Sequence, residues 1–94
     1  MRIRLAKAAI RDLREVKAYI AADDPKAALH VILKLERAIE LIGERPQIGR
    51  PVPAQAAREW SVPGLPYVIP YRVSVDLVEI LRIHNTSRQR PIQW

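Results

Sequence analysis

Two side chains near the end of the chain have the types and the spacing needed for acid-base chemistry on a phosphodiester. Arg82 and His84 lie two residues apart in a β-forming segment, and the period-two alternation of a strand would place them on one face. An imidazole titrates near neutral pH, and a guanidinium pairs well with phosphate. Together they could act on a ribose hydroxyl and the adjoining phosphate. The alternative is a polar strand end that only hydrogen-bonds the following turn.

No other set of residues in the sequence is suited to catalysis or to metal binding. The chain has no cysteine, and its second histidine, His30, falls within a predicted helix among charged neighbours. No residues show the spacing of a metal-binding cluster, and nothing singles out a nucleophile for a Ser-His-Asp triad. Turns explain the three glycines, Gly43, Gly49 and Gly64, without a phosphate-binding loop. The sequence therefore predicts neither a metal nor a cofactor.

The charges are unevenly distributed along the chain. Sixteen Lys and Arg residues face ten Asp and Glu residues, which gives a formal net charge of +6. From Arg45 to Trp94 there are seven arginines, no lysine and three acidic residues. This excess favours an acidic or nucleic-acid partner at the C-terminal half. The helical charges have a simpler alternative explanation, since Arg in place of Lys would coat any soluble surface.

Length and composition describe one small domain that spans residues 1–94. A chain of 94 residues with 49% hydrophobic and 28% charged residues corresponds to a single basic domain with a thin core. The longest uninterrupted apolar stretches are only a few residues long, so we expect neither a membrane span nor a signal-peptide core. The expected location is the cytoplasm.

The first half of the chain is typical of a strand followed by a helical hairpin. Residues Met1–Ala6 alternate between the two faces of a short strand. Apolar residues at three- and four-residue steps predict an amphipathic helix from Lys7 to about Ala22. An acidic cap at Asp23-Asp24, followed by proline at the first helical position, predicts a second helix from Pro25 to about Ile42. We expect Gly43 to end that helix.

The second half is typical of a small antiparallel meander. The proline-rich segment 44–55 predicts an ordered loop without a strand. Three strands are then predicted, Arg58–Val62, Tyr67–Ser74 and Leu77–His84, with a tight connection at Val75-Asp76. The order β-α-α-β-β-β predicts an α+β domain in which the helical hairpin packs on one face of a small, mainly antiparallel sheet.

The second helix carries more apolar residues than one buried stripe needs. Leu29, Leu33 and Leu41 lie partly outside its main apolar face. They either pack against the first helix or form a docking surface for another chain. Of the aromatic residues, Trp60 is expected to anchor sheet and loop and Tyr71 to be structural. Trp94 could either dock or fray.

The order of these elements and the amino-acid sequence of the second half resemble one family. The motifs are Ile48-Gly49-Arg50-Pro51, the segment from Pro66-Tyr67 to Tyr71-Arg72-Val73, and the segment from Arg82 to Arg88. In this order and spacing they resemble the RelE/ParE superfamily, the toxins of bacterial type II toxin-antitoxin (plasmid stabilisation) pairs. The resemblance covers essentially the whole chain, and it implies the RelE/ParE-like fold.

The superfamily contains two kinds of toxin, and the sequence has features of both. Ribosome-dependent messenger-RNA endonucleases of the RelE and YoeB kind carry basic residues on the middle strands and a C-terminal Arg with a His or Tyr. Arg82 and His84 match that ending. However, the strand positions that should be basic are occupied by Ser61-Val62-Pro63, and Asn85 replaces the aromatic residue that often follows the histidine.

The long helical hairpin, about 36 residues over 7–42, and the V-P-G-L-P-Y segment resemble the ParE branch more closely. Toxins of that branch do no chemistry, but bind DNA gyrase and hold it in its DNA-cleaved state. We therefore favour the gyrase-inhibitor interpretation and keep the endonuclease as the alternative. The resemblance implies target-binding roles for Arg50, Arg72, Arg82, His84 and Arg88. Arg50 has another explanation, since it could fix its loop by hydrogen bonds to backbone carbonyls.

In either case the resemblance implies an antitoxin as partner in a hetero-oligomer. Such antitoxins are acidic, are mostly disordered when free and fold on binding. Leu29, Leu33 and Leu41 are the expected docking residues. A DNA-binding module is disfavoured, because both helices mix acids and bases and neither has the composition of a recognition helix.

Overall fold

One mixed sheet forms the centre of the structure, with two helices packed on it. A computed structural model describes residues 1–94. Its elements are β1 (Arg2–Leu5), α1 (Lys7–Ala21), α2 (Pro25–Glu44), β2 (Arg50–Val52), a short 3-10 turn (Pro53–Gln55), β3 (Ala57–Ser61), β4 (Tyr67–Val73), β5 (Leu77–Ile80) and β6 (His84–Asn85). The strand order is β1-β5-β4-β3-β2, and β6 also pairs with β4. Only the β1–β5 pair is parallel. The predicted α+β fold is confirmed, with two additional short strands.

The turn between the helices has the predicted chemistry. The Asp24 side chain accepts hydrogen bonds from the backbone N–H groups of Lys26 and Ala27, both at 3.1 Å, and Pro25 occupies the first position of α2. A capping carboxylate satisfies donors that have no partner within the helix, and proline needs none. The sharp reversal between α1 and α2 is therefore encoded locally. Neither helix is long and apolar enough to cross a membrane.

The prediction that Gly43 ends the second helix is wrong. The helix continues to Glu44, so Gly43 lies within its last turn. A Cβ atom at this position would lie only 2.5 Å from Cδ1 of Ile3 in β1, and the N-terminal ammonium of Met1 donates to the Gly43 carbonyl at 3.1 Å. The glycine thus permits close approach of β1 to α2.

The proline-rich segment 44–55 contains a strand that the sequence analysis missed. Residues Arg50–Val52 pair antiparallel with Ala57–Glu59 and form one edge of the sheet. An edge strand has one side without ladder hydrogen bonds, so it tolerates Pro51. Proline content therefore indicated a loop where the chain forms an edge strand.

The predicted strand Leu77–His84 is interrupted by a bulge. Tyr71 pairs with Ile80, and Val68 pairs with His84, so two residues of β4 oppose three residues, 81–83. The Leu81 N–H donates to the Pro70 carbonyl at 2.9 Å, but Pro70 has no N–H to offer in return. The missing donor coincides with the point where β5 ends, and the extra residue reverses the facing of the residues that follow.

Tyr71 joins the core to the loop that precedes β2. Its ring is fully buried, and its hydroxyl donates to the Pro46 carbonyl at 2.7 Å while accepting from the Gly49 N–H at 2.8 Å. A Cβ atom at Gly49 would lie 2.7 Å from that hydroxyl oxygen. The predicted structural role of Tyr71 is confirmed.

Replacing Tyr71 by Phe should destabilise the fold and change its response to alkaline pH. Two buried backbone groups would lose their partner, so we expect the free energy of unfolding to fall by about 1–3 kcal/mol at neutral pH. Urea denaturation measures this difference. The exposed Tyr19 provides a matched control, and Tyr19→Phe should change stability by less than about 0.5 kcal/mol.

The pH arm of this experiment follows from burial, which raises the pKa of the Tyr71 phenol above its ordinary value, against smaller opposing effects of the Gly49 hydrogen bond and Arg58. The folded chain therefore holds this proton more tightly than the unfolded chain does. Stability should fall as the pH rises above about 10, and less steeply in Tyr71→Phe. An equally steep fall in the variant would contradict this cause.

Candidate functional site

Arg82 is bound by a buried carboxylate of the first helix. Asp12 is 6% exposed and accepts from Nε and Nη2 of Arg82 at 2.7 and 3.1 Å and from the Ile83 N–H at 2.9 Å. The hydrogen bond to Asp12 raises the pKa of Arg82; burial opposes this rise, and the negative charges of Asp12 and Glu15 support it. The guanidinium therefore stays charged and ties α1 to the bulge.

His84 lies on the opposite face of the sheet. Its strand partner is Val68, which alternates with the core residues Tyr67 and Ile69 and so faces away from the helices. The imidazole is 9% exposed, and its ring centroid lies 5.2 Å from that of Trp94 in an edge-on arrangement. The predicted placement of the two side chains on one strand face is wrong, because the bulge opposite Pro70 breaks the period of two, although both residues line one cleft beside α1.

A buried glutamate that the sequence analysis did not select holds the end of the chain on this face. Glu59 is 3% exposed. Its carboxylate accepts from Arg50 and from the Trp94 indole N–H, each at 2.8 Å, and forms an ion pair with Arg90. The Trp94 backbone N–H donates to the Gln55 side chain at 2.8 Å. Trp94 therefore docks in this structure, and it covers His84.

We call residues Arg90–Trp94 together with Glu59 the clasp. Within it, the Arg90 guanidinium lies 4.7 Å from the centroid of the Trp94 ring, a cation–π distance. One feature of the sequence could have indicated the clasp, since Glu59 is one of only three acidic residues after Arg45. Its partners, however, come from residues 9, 31 and 35 positions away. A cluster whose members are so far apart in the sequence cannot be recognised from a local motif.

The remaining predicted target-binding residues occupy two places. Arg50 binds Glu59 instead of backbone carbonyls, and its side chain is still 69% exposed. Arg72 lies on the same sheet face and donates to the Gln55 carbonyl at 3.3 Å. Arg88 lies elsewhere, in a cleft beside α1. A different arginine makes the hydrogen bond to a loop carbonyl that was considered for Arg50. The Arg58 guanidinium donates to the Gly49 carbonyl at 2.7 Å.

The cleft beside α1 has a volume of about 430 Å³ and brings charged and hydroxyl groups together. Its lining includes Tyr67, Arg82, His84, Arg88, Glu15 and Tyr19. Burial raises the pKa of the Tyr67 phenol, and the charge of Arg88 partly offsets the rise. Tyr67 therefore remains a hydrogen-bond donor at neutral pH. No three His, Cys, Asp or Glu side chains in the structure could together hold a metal ion.

A third feature is a groove between α2 and β3, with a volume of about 640 Å³. Leu33, Leu41 and Trp60 line it, whereas Leu29 lies outside its lining. Leu29 and Leu33 are 59% and 51% exposed. The Trp60 ring packs against the core, but its indole N–H is buried without an acceptor, which is unusual for a buried donor.

The chain is similar to known proteins along almost its whole length. Residues 3–90 match the family described as "ParE toxin of type II toxin-antitoxin system, parDE". Y4kP of Sinorhizobium fredii (strain NBRC 101917 / NGR234) is 42% identical over 90 residues, which cover 96% of this chain and 93% of that protein. Toxin RelE2 of Caulobacter vibrioides is 38% identical over 80 residues, covering 85% and 89%.

A solved structure has the same fold. It is described as the chromosomal ParDE TA system from P. aeruginosa, and the match has a TM-score of 0.72. The sequences are 24% identical, and the match covers 90% of this chain and 95% of the other.

Asp12→Asn should loosen the attachment of α1 to the bulge. The substitution keeps the side-chain shape but replaces an accepting oxygen by a donor that faces the Arg82 guanidinium. We expect the free energy of unfolding, measured in urea, to fall by about 1–3 kcal/mol. Glu15→Gln removes the same charge one turn along the helix from an exposed position, and it should change stability by less than about 0.5 kcal/mol. Equal effects of the two substitutions would contradict a specific Asp12–Arg82 contact.

Glu59→Gln should release the clasp. The neutral amide loses the charge that binds Arg90 and one of the two oxygens that accept from Arg50 and Trp94. In a Trp60→Phe background, where Trp94 is the sole tryptophan, we expect a red shift of the emission and stronger quenching by acrylamide. Glu79→Gln, which removes an acid paired with Arg4, is the control. Unchanged quenching in Glu59→Gln would show that other contacts hold the segment.

Proposed function

We propose that this chain, which belongs to the family of ParE toxins of type II toxin-antitoxin systems, acts by binding DNA gyrase and holding it on cleaved DNA. It is the toxin of such a pair, and the target is the proposal. The names of the relatives point both ways, since the family is described as ParE and the Caulobacter relative is called RelE2. Support for the target must therefore come from the residues themselves.

The observation that carries the proposal is that Arg82 and His84, which line one cleft, are each held by another part of the chain. General acid-base cleavage needs a titratable group within hydrogen-bond reach of the substrate and a cation beside the same phosphate. Here the Arg82 guanidinium is bound by Asp12 on the helix side, while His84 is buried beneath Trp94 on the other side. This arrangement supports a toxin that acts by binding rather than by cleavage.

The exposed cations are then the residues proposed to contact the target. Arg50 and Arg72 lie on the sheet face away from the helices, and Arg88 lies at the adjacent cleft. Exposed arginines of this kind steer association with an acidic surface and fix its register. Arg82 and His84 are proposed to act indirectly, by holding the bulge and by supporting Trp94. The expected place of action is the cytoplasm, where the target is found.

One observation favours a second candidate, ribosome-dependent cleavage of messenger RNA. The cleft beside α1 places the Tyr67 phenol near Arg88, and Ser87 and Asn85 also line it. A hydroxyl donor with a nearby guanidinium could bind a phosphate there. In that case Tyr67 and Arg88 would bind the RNA beside the predicted pair Arg82 and His84, which line the same cleft.

Purified gyrase with supercoiled plasmid provides the direct test. We expect the wild-type chain to produce linear DNA after detergent and protease treatment, because a trapped cleavage complex releases a broken duplex. His84→Ala should retain this activity within about twofold, since the imidazole is covered. Arg72→Glu should lower it by roughly tenfold or more through loss of a steering charge. Arg14→Glu, at an exposed position of α1, controls for the change in net charge.

Pulse-labelling after induction in bacteria separates the two targets. Gyrase inhibition predicts that DNA synthesis falls before protein synthesis. If protein synthesis falls first, messenger RNA is cut at the ribosome and Tyr67→Phe or Arg88→Ala abolishes the cuts, the second candidate replaces the first. Circular dichroism of each variant must match the wild type before its activity is compared.

A further inference from the structure

We propose that the exposed face of α2 is an interface between two copies of this chain, in which the two helices pack antiparallel across a two-fold axis. This surface is distinct from the one proposed to contact the target. The helix α2 packs on one side of the sheet, whereas Arg72 lies on the other, since it follows the core residue Tyr71 in β4. A dimer of this kind therefore leaves the basic face of each copy free.

The solvent-facing side of α2 consists of three rows of side chains, each with the four-residue step of a helix ridge. One row holds two lysines and a histidine, the central row is mainly apolar, and the third row is acidic. Their members are Lys26, His30 and Lys34; Leu29, Leu33, Arg37 and Leu41; and Glu36, Glu40 and Glu44. All of them are exposed except Leu41, which is partly buried. The basic row occupies the first half of the helix, and the acidic row occupies the second half.

These charges are placed unfavourably for the helix that carries them. Like charges four residues apart on a helix repel one another. The helix dipole favours acids in the first turn and bases in the last, yet beyond the Asp24 cap α2 has no acid in its first turn, and it has no base in its last. No member of the two outer rows takes part in an ion pair within the chain. Opposite charges outside the chain therefore explain this distribution better than contacts within it.

The two outer rows are balanced about a single residue, Leu35, which is buried in the core. The three basic members lie nine, five and one residues before it, and the three acidic members lie one, five and nine residues after it. A two-fold axis through the exposed face opposite Leu35 reverses both the direction of the helix and its two flanks. The basic row of one copy then lies opposite the acidic row of the other, with every pair in register. An unrelated partner would need complementary charges, but it would not require α2 itself to be balanced about one residue.

Apolar contacts form the centre of this interface. Leu29 and Leu33 are 59% and 51% exposed, which is high for leucine. In the two-fold arrangement Leu29 lies opposite Leu41 of the second copy, and Leu33 lies opposite Arg37, whose methylene groups can cover it. A single pair of 20-residue helices forms a small interface, so we expect a dimer with a dissociation constant of roughly 1–100 μM.

Sedimentation velocity of the purified chain tests the interface. The wild-type chain should pass from monomer to dimer as its concentration is raised about a hundredfold through the micromolar range, and salt should weaken the dimer. Lys34→Glu and Glu36→Lys each place like charges opposite one another at two symmetric positions, so each should weaken dimerisation by roughly tenfold or more. Neither should unfold α2, because each introduced charge lies three or four residues from an opposite charge in its own helix, at Arg37 or Glu40.

Mixing the two variants tests the antiparallel arrangement directly. In a mixed dimer each introduced charge meets its opposite, so an equimolar mixture of Lys34→Glu and Glu36→Lys chains should regain the wild-type affinity. With one variant isotopically labelled, native mass spectrometry should show mainly the mixed species. The double variant Lys34→Glu/Glu36→Lys should also regain the affinity. Mixing would not repair a loss of folding or a change in net charge, so this readout is specific to the contact.

Two matched controls separate the interface from general effects of charge and polarity. Arg2→Glu makes the same change in charge as Lys34→Glu, but on the sheet face away from α2, because Arg2 alternates with Ile3, which contacts that helix. It should dimerise like the wild type. Leu29→Asp should weaken dimerisation by roughly tenfold, whereas Val75→Asp, at an exposed apolar position in the β4–β5 turn, should not.

Four results would overturn the proposal. A wild-type chain that stays monomeric over the whole concentration range at low salt has no such interface. A dimer that none of the three α2 variants weakens is formed through another surface. Failure of both the mixture and the double variant to regain affinity would contradict the antiparallel pairing. If the wild-type chain is monomeric and the same substitutions instead weaken binding of the antitoxin, the face belongs to that partner.

Discussion

Pro70 has no backbone N–H, and the position of every candidate functional side chain after Ile80 depends on that missing donor. The Pro70 carbonyl accepts one hydrogen bond from Leu81, but Pro70 has no N–H that could donate to a carbonyl of the neighbouring segment. At this point the segment between Ile80 and His84 has one residue more than the segment of β4 that it opposes. Ile80 and Ile83 both reach the core, which an unbroken strand with a period of two could not achieve. The bulge thus directs Arg82 to the helix layer and His84 to the opposite face.

Local signals predicted most of this fold, and tertiary contacts account for the errors. The helical periodicity and the Asp24 cap act within a few residues, so both helices were predicted closely at their first residues. The strand Arg50–Val52, the glycine inside α2 and the bulge all depend on neighbours distant in sequence. Pro51 is tolerated because nothing pairs with its free edge, and Gly43 lies inside α2 where the Ile3 side chain of β1 packs against it. Neither the free sheet edge at Pro51 nor the nearness of β1 to Gly43 can be recognised from a short segment of the sequence.

The candidate site was predictable in composition but not in arrangement. Excess arginine in the second half was a sound indication of charge, yet the fold uses several of these cations internally. Arg82 is bound by Asp12, and Arg50 and Arg90 by Glu59. A net charge therefore overstates the charge available to a partner, because a buried carboxylate neutralises part of the positive charge of the arginine that it binds. Arg45, Arg58, Arg72 and Arg88 make no ion pair within the chain.

Strand β3 separates two surfaces of the molecule. Glu59 and Trp60 are consecutive residues, so their side chains project to opposite faces of the sheet. Glu59 holds the clasp on the face that also carries Arg50 and Arg72, and Trp60 lines the groove on the helix side. A partner bound on one side of β3 therefore need not cover the other side, and the five residues of β3 are the shortest physical connection between the two surfaces.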